Sequence, residues 1–267
     1  SGSKQQEKTI FERNLIQNIK RPNYYYAYGI YCYYQRNALL QSNVVESING
    51  TYGSYYLYAY GYRSGYHAEI RQNTLKGDGK GSNYGSPTVY GIYDYYYYDT
   101  DVDIQANIVD LKNWSNAYHI YNSNTSGNKN IYDIDYNMFN PSNNGQNRWS
   151  TRPTGNTTNF TSYKNNEAIG SNEMIGDPLF DKDLKPLAYE TQNVFNDVNV
   201  TNTKDVYGAA RNMLAGDRGA VKAVLDLEAK SKVTLPAAVC SGYELPISLD
   251  ITNNFAGNAK NIKVVGC

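Results

Sequence analysis

Apolar and polar positions in the first half of this chain follow a six-residue motif that keeps returning. It reads Phe11-Glu-Arg-Asn14-Leu-Ile16, Leu40-Gln-Ser-Asn43-Val-Val45, Ile70-Arg-Gln-Asn73-Thr-Leu75, Ile104-Gln-Ala-Asn107-Ile-Val109 and Ile134-Asp-Tyr-Asn137-Met-Phe139. The asparagines fall 29, 30, 34 and 30 residues apart. A second echo runs in step with it: Ala27-Tyr-Gly-Ile-Tyr31, Ala59-Tyr-Gly-Tyr-Arg63, Val89-Tyr-Gly-Ile-Tyr93 and Ala117-Tyr-His-Ile-Tyr121. Self-similarity at such a period specifies a repeat architecture.

The repeat is built of strands. A helical repeat places apolar residues three and four apart, whereas these segments are short, rich in Tyr, Ile and Val, and punctuated by Gly, Asn and Ser. A propeller blade needs roughly 40–45 residues, more than one repeat supplies. One coil of a parallel β-helix, three short strands and three bends, fits. The Asn column predicts a sharp bend, because Asn tolerates the left-handed backbone region. Parity agrees: Ile70 and Leu75 are both apolar but five positions apart, so alternation alone cannot put them on one face. Stacked coils then line up five amides, each able to hydrogen-bond the next.

With those residues in view, the pattern resembles the pectate-lyase-like β-helix superfamily, whose members carry such an internal asparagine ladder. The resemblance covers roughly residues 8–222. It implies an all-β fold: a right-handed parallel β-helix solenoid of about six to seven coils, followed by a short C-terminal antiparallel β segment. Gly176-Asp-Pro-Leu-Phe180, Asp183-Leu-Lys-Pro186, Asp205-Val-Tyr-Gly208, Arg211 and Asp217-Arg-Gly-Ala220 resemble the closing coil of secreted bacterial β-helix proteins. A solenoid end needs such a cap because it exposes apolar surface and unpaired backbone. The domain reading is therefore residues 1–222 as β-helix with closing coil, and 223–267 as a β appendage or truncated module. In the latter, Leu245-Pro-Ile-Ser-Leu-Asp-Ile251 resembles the early strands of immunoglobulin-like modules in bacterial surface proteins. The resemblance implies an extracellular, cell-surface location and, as partners, glycan or neighbouring surface modules.

Composition sharpens this picture. The 267 residues include 25 basic and 25 acidic ones, so nothing steers the chain toward nucleic acid or an anionic membrane. No apolar run reaches the ~20 residues of a membrane span. Ser1-Gly2-Ser3 reads as a cloning scar with no signal peptide behind it, and the expectation is a monomeric fragment of a longer chain. Cys32, Cys240 and Cys267 are too few for a disulfide framework; Cys240 and Cys267 can pair, leaving Cys32 buried.

Tyrosine is the compositional bias: 29 Tyr against 6 Phe and 2 Trp. Period-two logic from inward Ile30 points Tyr28, Tyr60, Tyr90 and Tyr118 inward, and Tyr31, Arg63, Tyr93 and Tyr121 outward. The outward column, with the runs Tyr55–Tyr58 and Tyr95–Tyr98, suits a stacking platform for sugar rings, or contacts to a neighbour. His119 takes a column otherwise occupied by Gly61 and Gly91, which suggests that it projects outward. Trp149, in the polar loop 140–167, is expected in a lid or rim over the tyrosine face. Asp99, Asp101 and Asp103 alternate onto one face and can hold Ca²⁺. The resemblance raises polysaccharide lyase or hydrolase activity on acidic glycans as an alternative. No paired Asp-Asp, Gly-His-Gly or Arg-Ile-Lys signature of those enzymes is present, so no catalytic residue is assigned. The reading favours a non-catalytic adhesion or glycan-contact module over a stalk.

Overall fold

The computed structural model describes residues 8–21, 25–61, 66–79, 87–96, 100–122, 131–141, 146–151, 155–165, 170–188, 204–211, 218–222, 227–231 and 249–253. The chain is a parallel β-solenoid whose three long sheets share one direction of stacking. The first sheet holds β1 (Thr9–Glu12), β5 (Asn37–Gln41), β9 (Tyr66–Arg71), β12 (Thr100–Gln105) and β15 (Ile131–Asp135). The second holds β2 (Leu15–Gln17), β6 (Val44–Glu46), β10 (Thr74–Lys76), β13 (Ile108–Asp110), β16 (Met138–Asn140) and β19 (Met174–Ile175). The third holds β4 (Tyr26–Tyr33), β8 (Gly53–Gly61), β11 (Thr88–Tyr96), β14 (Asn116–Asn122) and β17 (Gln146–Thr151), with β18 (Gly155–Thr157) added antiparallel. A small pair, β3 (Lys20–Arg21) and β7 (Asn49–Gly50), extends the first bends. The described strands make five such rungs and begin a sixth, fewer than the expected six to seven.

The motif sits at the corner between the first and second sheets. Asn14, Asn43, Asn73, Asn107 and Asn137 form a file in which each residue donates twice to the next. Asn43 N and Nδ2 both reach Asn73 Oδ1 at 3.0 Å, and Asn73 does the same to Asn107 at 2.9 Å. The second amide hydrogen goes backwards: Asn73 Nδ2 donates to Leu40 O at 2.8 Å, and Asn107 Nδ2 to Ile70 O at 2.8 Å. One buried side chain thereby satisfies both its own groups and the backbone of a corner that sheet pairing cannot reach. The asparagine is not itself the left-handed residue. That conformation falls one position earlier, at Arg13, Ser42, Gln72, Ala106 and Tyr136, with φ between 51° and 60°. The turn is made before the ladder, which frees the Asn side chain to point inward. The file ends on Glu173, whose Oε1 accepts from Asn137 N at 2.9 Å and Nδ2 at 2.7 Å.

Inside, Ala38, Leu40, Ala68, Ile70, Val102, Ile104 and Ile134 of the first sheet meet Val45, Leu75, Val109 and Phe139 of the second. Ile30, Leu57, Ile92 and Ile120 come from the third. The far end of this core is plugged. The helix α1 (Phe160–Lys164), capped by Asn159 through bonds to the amides of Thr161 and Ser162, brings Phe160 and Tyr163 against Phe139 and Trp149. The closing series, expected to cap the end, runs instead along the outside of the second sheet. Leu184, Ala220 and Val221 cover Val44, Ala188 packs with Ile108 and Met138, and Ala220 N donates to Thr74 Oγ1 at 2.8 Å. That face is apolar because Val44, Ile108 and Met138 point outward from these three-residue strands while Val45, Val109 and Phe139 point inward.

Beyond the solenoid, β20 (Leu227–Ser231) and β21 (Leu249–Asn253) pair antiparallel. Cys240 and Cys267 lie outside the described residues; Cys32 is a buried free thiol.

Candidate functional site

Every strand of the third sheet from β4 to β14 carries the same fault. The ladder pairs Tyr28 with Tyr55 and Ile30 with Leu57 but skips Gly29 and Tyr56. The same step recurs between Tyr56 and Gly91 and between Gly91 and His119. Each strand has one extra inward residue at the same place, a bulge repeated from rung to rung so that the pairing offset never changes, and two successive residues face the core between two outward tyrosines. The inward column runs Gly29, Tyr56, Gly91, His119. Small and large residues alternate because the backbone passes close by. A Cβ on Gly29 would stand 2.6 Å from Tyr56 O, and one on Gly91 2.7 Å from His119 O.

This fault reverses part of the period-two reading. Tyr28, Tyr90 and Tyr118 lie on the outer face, not inside, as does Tyr60. In coil two, the partner of Tyr28-Gly-Ile-Tyr31 is Tyr55-Tyr-Leu-Tyr58, not the later Tyr60-Gly-Tyr. The place expected for Arg63 therefore belongs to Tyr58, and Arg63 lies outside the described residues.

Three files of rings result. Tyr28, Tyr55, Tyr90 and Tyr118 stack at 4.9, 4.7 and 5.2 Å between centroids. Tyr31, Tyr58, Tyr93 and Tyr121 stack at 4.9, 4.8 and 4.9 Å. Tyr33, Tyr60 and Tyr95 stack at 4.9 and 5.1 Å. The spacing is that of β-strands in a sheet, about 4.7–4.9 Å. Neighbouring files differ: rings of the first meet those of the second edge-on, as in Tyr90–Tyr93 at 86°. Rings of the second and third run parallel, as in Tyr58–Tyr60 at 14°. Arg148 closes the first file, its guanidinium 5.1 Å from the Tyr118 ring centroid and its Nη1 2.9 Å from the hydroxyl.

Tyr31, Tyr93 and Tyr121 thus stand together on the outer face, as the sequence suggests. Their faces do not form the expected platform, however. A ring inside a file has another ring against each face, so the wall offers edges and hydroxyls rather than open π-faces. No hydroxyl of the wall is a buried atom without a partner, so each meets solvent or another protein group. Burial among the neighbouring rings pushes Tyr90 up to about 12 and raises Tyr55, Tyr58 and Tyr93 further. These four hydroxyls at the centre of the wall stay protonated throughout the physiological range.

Two other expected site residues lie inside. His119 is 0% exposed, stacked 5.1 Å from the Trp149 ring, with Nε2 3.3 Å from Asn147 Oδ1. Burial depresses it to about 4. Trp149 is 2% exposed; β17 lacks the bulge residue, so Trp149 pairs with Ile120 and turns inward. It is part of the plug, not a rim.

The expected calcium face is also altered. Asp99 lies outside the described residues, and of Asp101 only the backbone is placed, in β12. Asp103 points outward, but its Oδ2 lies 2.9 Å from Arg71 Nη2 and 3.9 Å from His67 Nε2. Glu69, in register beside Asp103, bonds His67 at 3.3 Å and also Lys8, and that company holds its carboxyl down at about 2. This is an ion-pair network whose basic members satisfy the carboxylates. Among the described residues no three His, Cys, Asp or Glu are placed to hold a metal ion. None of their helices is long and apolar enough to cross a membrane. Compared with known proteins, the chain matches no family model, no curated protein and no solved structure.

Proposed function

We propose that this chain is a non-catalytic β-helix module of a secreted bacterial surface protein, of pectate-lyase-like type, that contacts glycan through its tyrosine wall. One observation supports this above the others: eleven outward tyrosines occupy three aligned files on one sheet. A soluble surface gains nothing in solubility from so many apolar rings, and contiguous aromatic area of this kind marks contact sites. Tyrosine also brings a hydroxyl to every ring, as a polyhydroxyl ligand needs.

A stalk is the second reading, favoured by the ring-on-ring stacking itself. Each well-placed aromatic pair adds about 0.5–1.5 kcal/mol, so the wall also stiffens the solenoid. A glycan array separates the two. Binding that disappears in Tyr93→Ala/Tyr121→Ala, with the fold checked by circular dichroism, supports contact; no binding to any glycan supports the stalk. Unsaturated product released from alginate, pectin or chondroitin, followed by absorbance, would overturn the non-catalytic reading.

A further inference from the structure

The wall's regularity carries more than glycan contact in general. Resting on that reading, we infer that the wall recognises a neutral, extended polysaccharide in its ordered, insoluble form, rank against rank, rather than a free oligosaccharide.

Three observations lead there. The first is period. Ring centroids repeat at 4.7 to 5.2 Å up the first file and at 4.8 to 4.9 Å up the second. Across a rung the separations are 5.1 Å for Tyr90–Tyr93 and 6.3 Å for Tyr93–Tyr95. The wall is therefore a two-dimensional lattice, not a pocket. An extended β-linked sugar chain repeats its units at nearly the spacing that separates strands in a sheet, and packed chains repeat this in ranks.

The second is the chemistry presented. Ring faces are occupied by neighbouring rings, so the sugar-on-ring stacking that grips a single chain end is blocked within the files. Hydroxyl edges remain, each able to donate and accept. Such contacts are individually weak in water. They add up only when the ligand already holds its groups at the same repeat, because a flexible oligomer must first pay its own ordering.

The third is charge. Among the described residues no Lys, Arg, Asp or Glu belongs to the three files, and Arg148 stands beside Tyr118 at the end of the first. With the central Tyr55, Tyr58, Tyr90 and Tyr93 hydroxyls kept protonated by burial, the files themselves hold no cation to balance a uronate. Acidic glycans are disfavoured by this surface.

The test is co-sedimentation of the whole chain with microcrystalline cellulose, crystalline chitin and the acid-swollen, amorphous forms of both. Titration calorimetry with soluble cello- and chito-oligosaccharides and with pectin completes it. Tyr58→Phe/Tyr93→Phe serves as the variant because it keeps every ring stack and removes two hydroxyls. The expected result is retention on a crystalline polymer, weaker retention on its amorphous form and no measurable heat with oligosaccharides. The double variant should lose affinity by about tenfold or more, each hydroxyl bond being worth roughly a factor of five. Equal binding of soluble oligosaccharide, or preference for pectin, overturns this inference and leaves glycan contact standing. Unchanged binding by the double variant overturns the hydroxyl-edge mechanism. Retention by no polysaccharide, soluble or solid, overturns the glycan reading with it.

Discussion

Glu173 ends the asparagine ladder with a carboxyl where an amide would serve better, and the consequence can be measured. The group is fully buried, accepts both Asn137 bonds on Oε1 and leaves Oε2 without a hydrogen-bond partner. Burial is the main cause that pushes it up to about 8 from an ordinary 4.5; Asp135 pushes the same way, and Asn137 and Arg218 oppose. Between those two values the native state keeps a proton that the unfolded chain releases, so stability falls as pH rises. The slope is roughly 1.4 kcal/mol per pH unit, which makes the penalty about 3 kcal/mol at pH 7. It is absent below pH 4.5 and complete above about 8. Glu173→Gln keeps the acceptor, supplies a donor in place of the proton and never ionises. Urea unfolding of both proteins at half-unit steps from pH 4 to 8.5 should give matching midpoints at the acid end. The variant should then pull ahead until it is about 3 kcal/mol more stable at pH 7. A difference that does not change with pH would refute the argument, because it would mean that Glu173 is not protonated in the native state.

His119 titrates with the opposite sign. Held at about 4 against an ordinary 6.5 by burial, it refuses a proton that the unfolded chain binds. Stability should fall by about 3 kcal/mol as pH drops from 6.5 to 4, and His119→Gln should lack that limb in acid unfolding. The two effects oppose each other between pH 4.5 and 6.5, so in a thermal-unfolding series His119→Gln should show a steeper decline with rising pH across that interval than the parent protein. In the ladder, Asn107→Ala removes the acceptor for Asn73 N and Nδ2 and the donor to Ile70 O. Calorimetry should show a loss of roughly 4 kcal/mol or more, whereas Asn14→Ala at the solvated end should cost less than about 1 kcal/mol. Arg13 holds φ at 54°, where a side chain costs about 1–2 kcal/mol. Arg13→Gly should therefore raise the unfolding free energy from urea titration by about 1 kcal/mol, while losing an exposed pair to Glu12 of little worth.

The rung period, the parallel stacking and the asparagine file were legible because a corner amide has few substitutes, and because its position tolerates almost no drift. The tyrosine wall was legible only in part. Alternation assumes one residue per pleat, and the bulge at Gly29, Tyr56, Gly91 and His119 breaks that assumption in every strand it crosses. The unit that survives is Tyr-x-(Ile or Leu)-Tyr: Tyr28 to Tyr31, Tyr55 to Tyr58, Tyr90 to Tyr93, Tyr118 to Tyr121. Glycine is a poor marker of this unit: Gly61 follows Tyr60, but the true equivalent of Gly29 and Gly91 in coil two is Tyr56, because the bulge column alternates glycine with a large side chain. The plug was hidden for a different reason. Trp149 and Phe160 sit in a polar stretch with no period, and only the open core end at Phe139 gives them somewhere to go. Alternation sends Asp103 outward, but its basic company comes from Arg71 and His67, a full rung earlier in sequence.

The stacked bulge also constrains how such a protein can lengthen. A copied stretch of about thirty residues lengthens the tyrosine files only if it brings the same extra residue in its third strand. A strand without it, as β17 is, still pairs, but across a register shift that sets Arg148 and Ser150 where tyrosines would continue the files. The fault therefore filters which copies extend the wall. Each accepted copy adds one more row to the aromatic array with no change to the rows above and below.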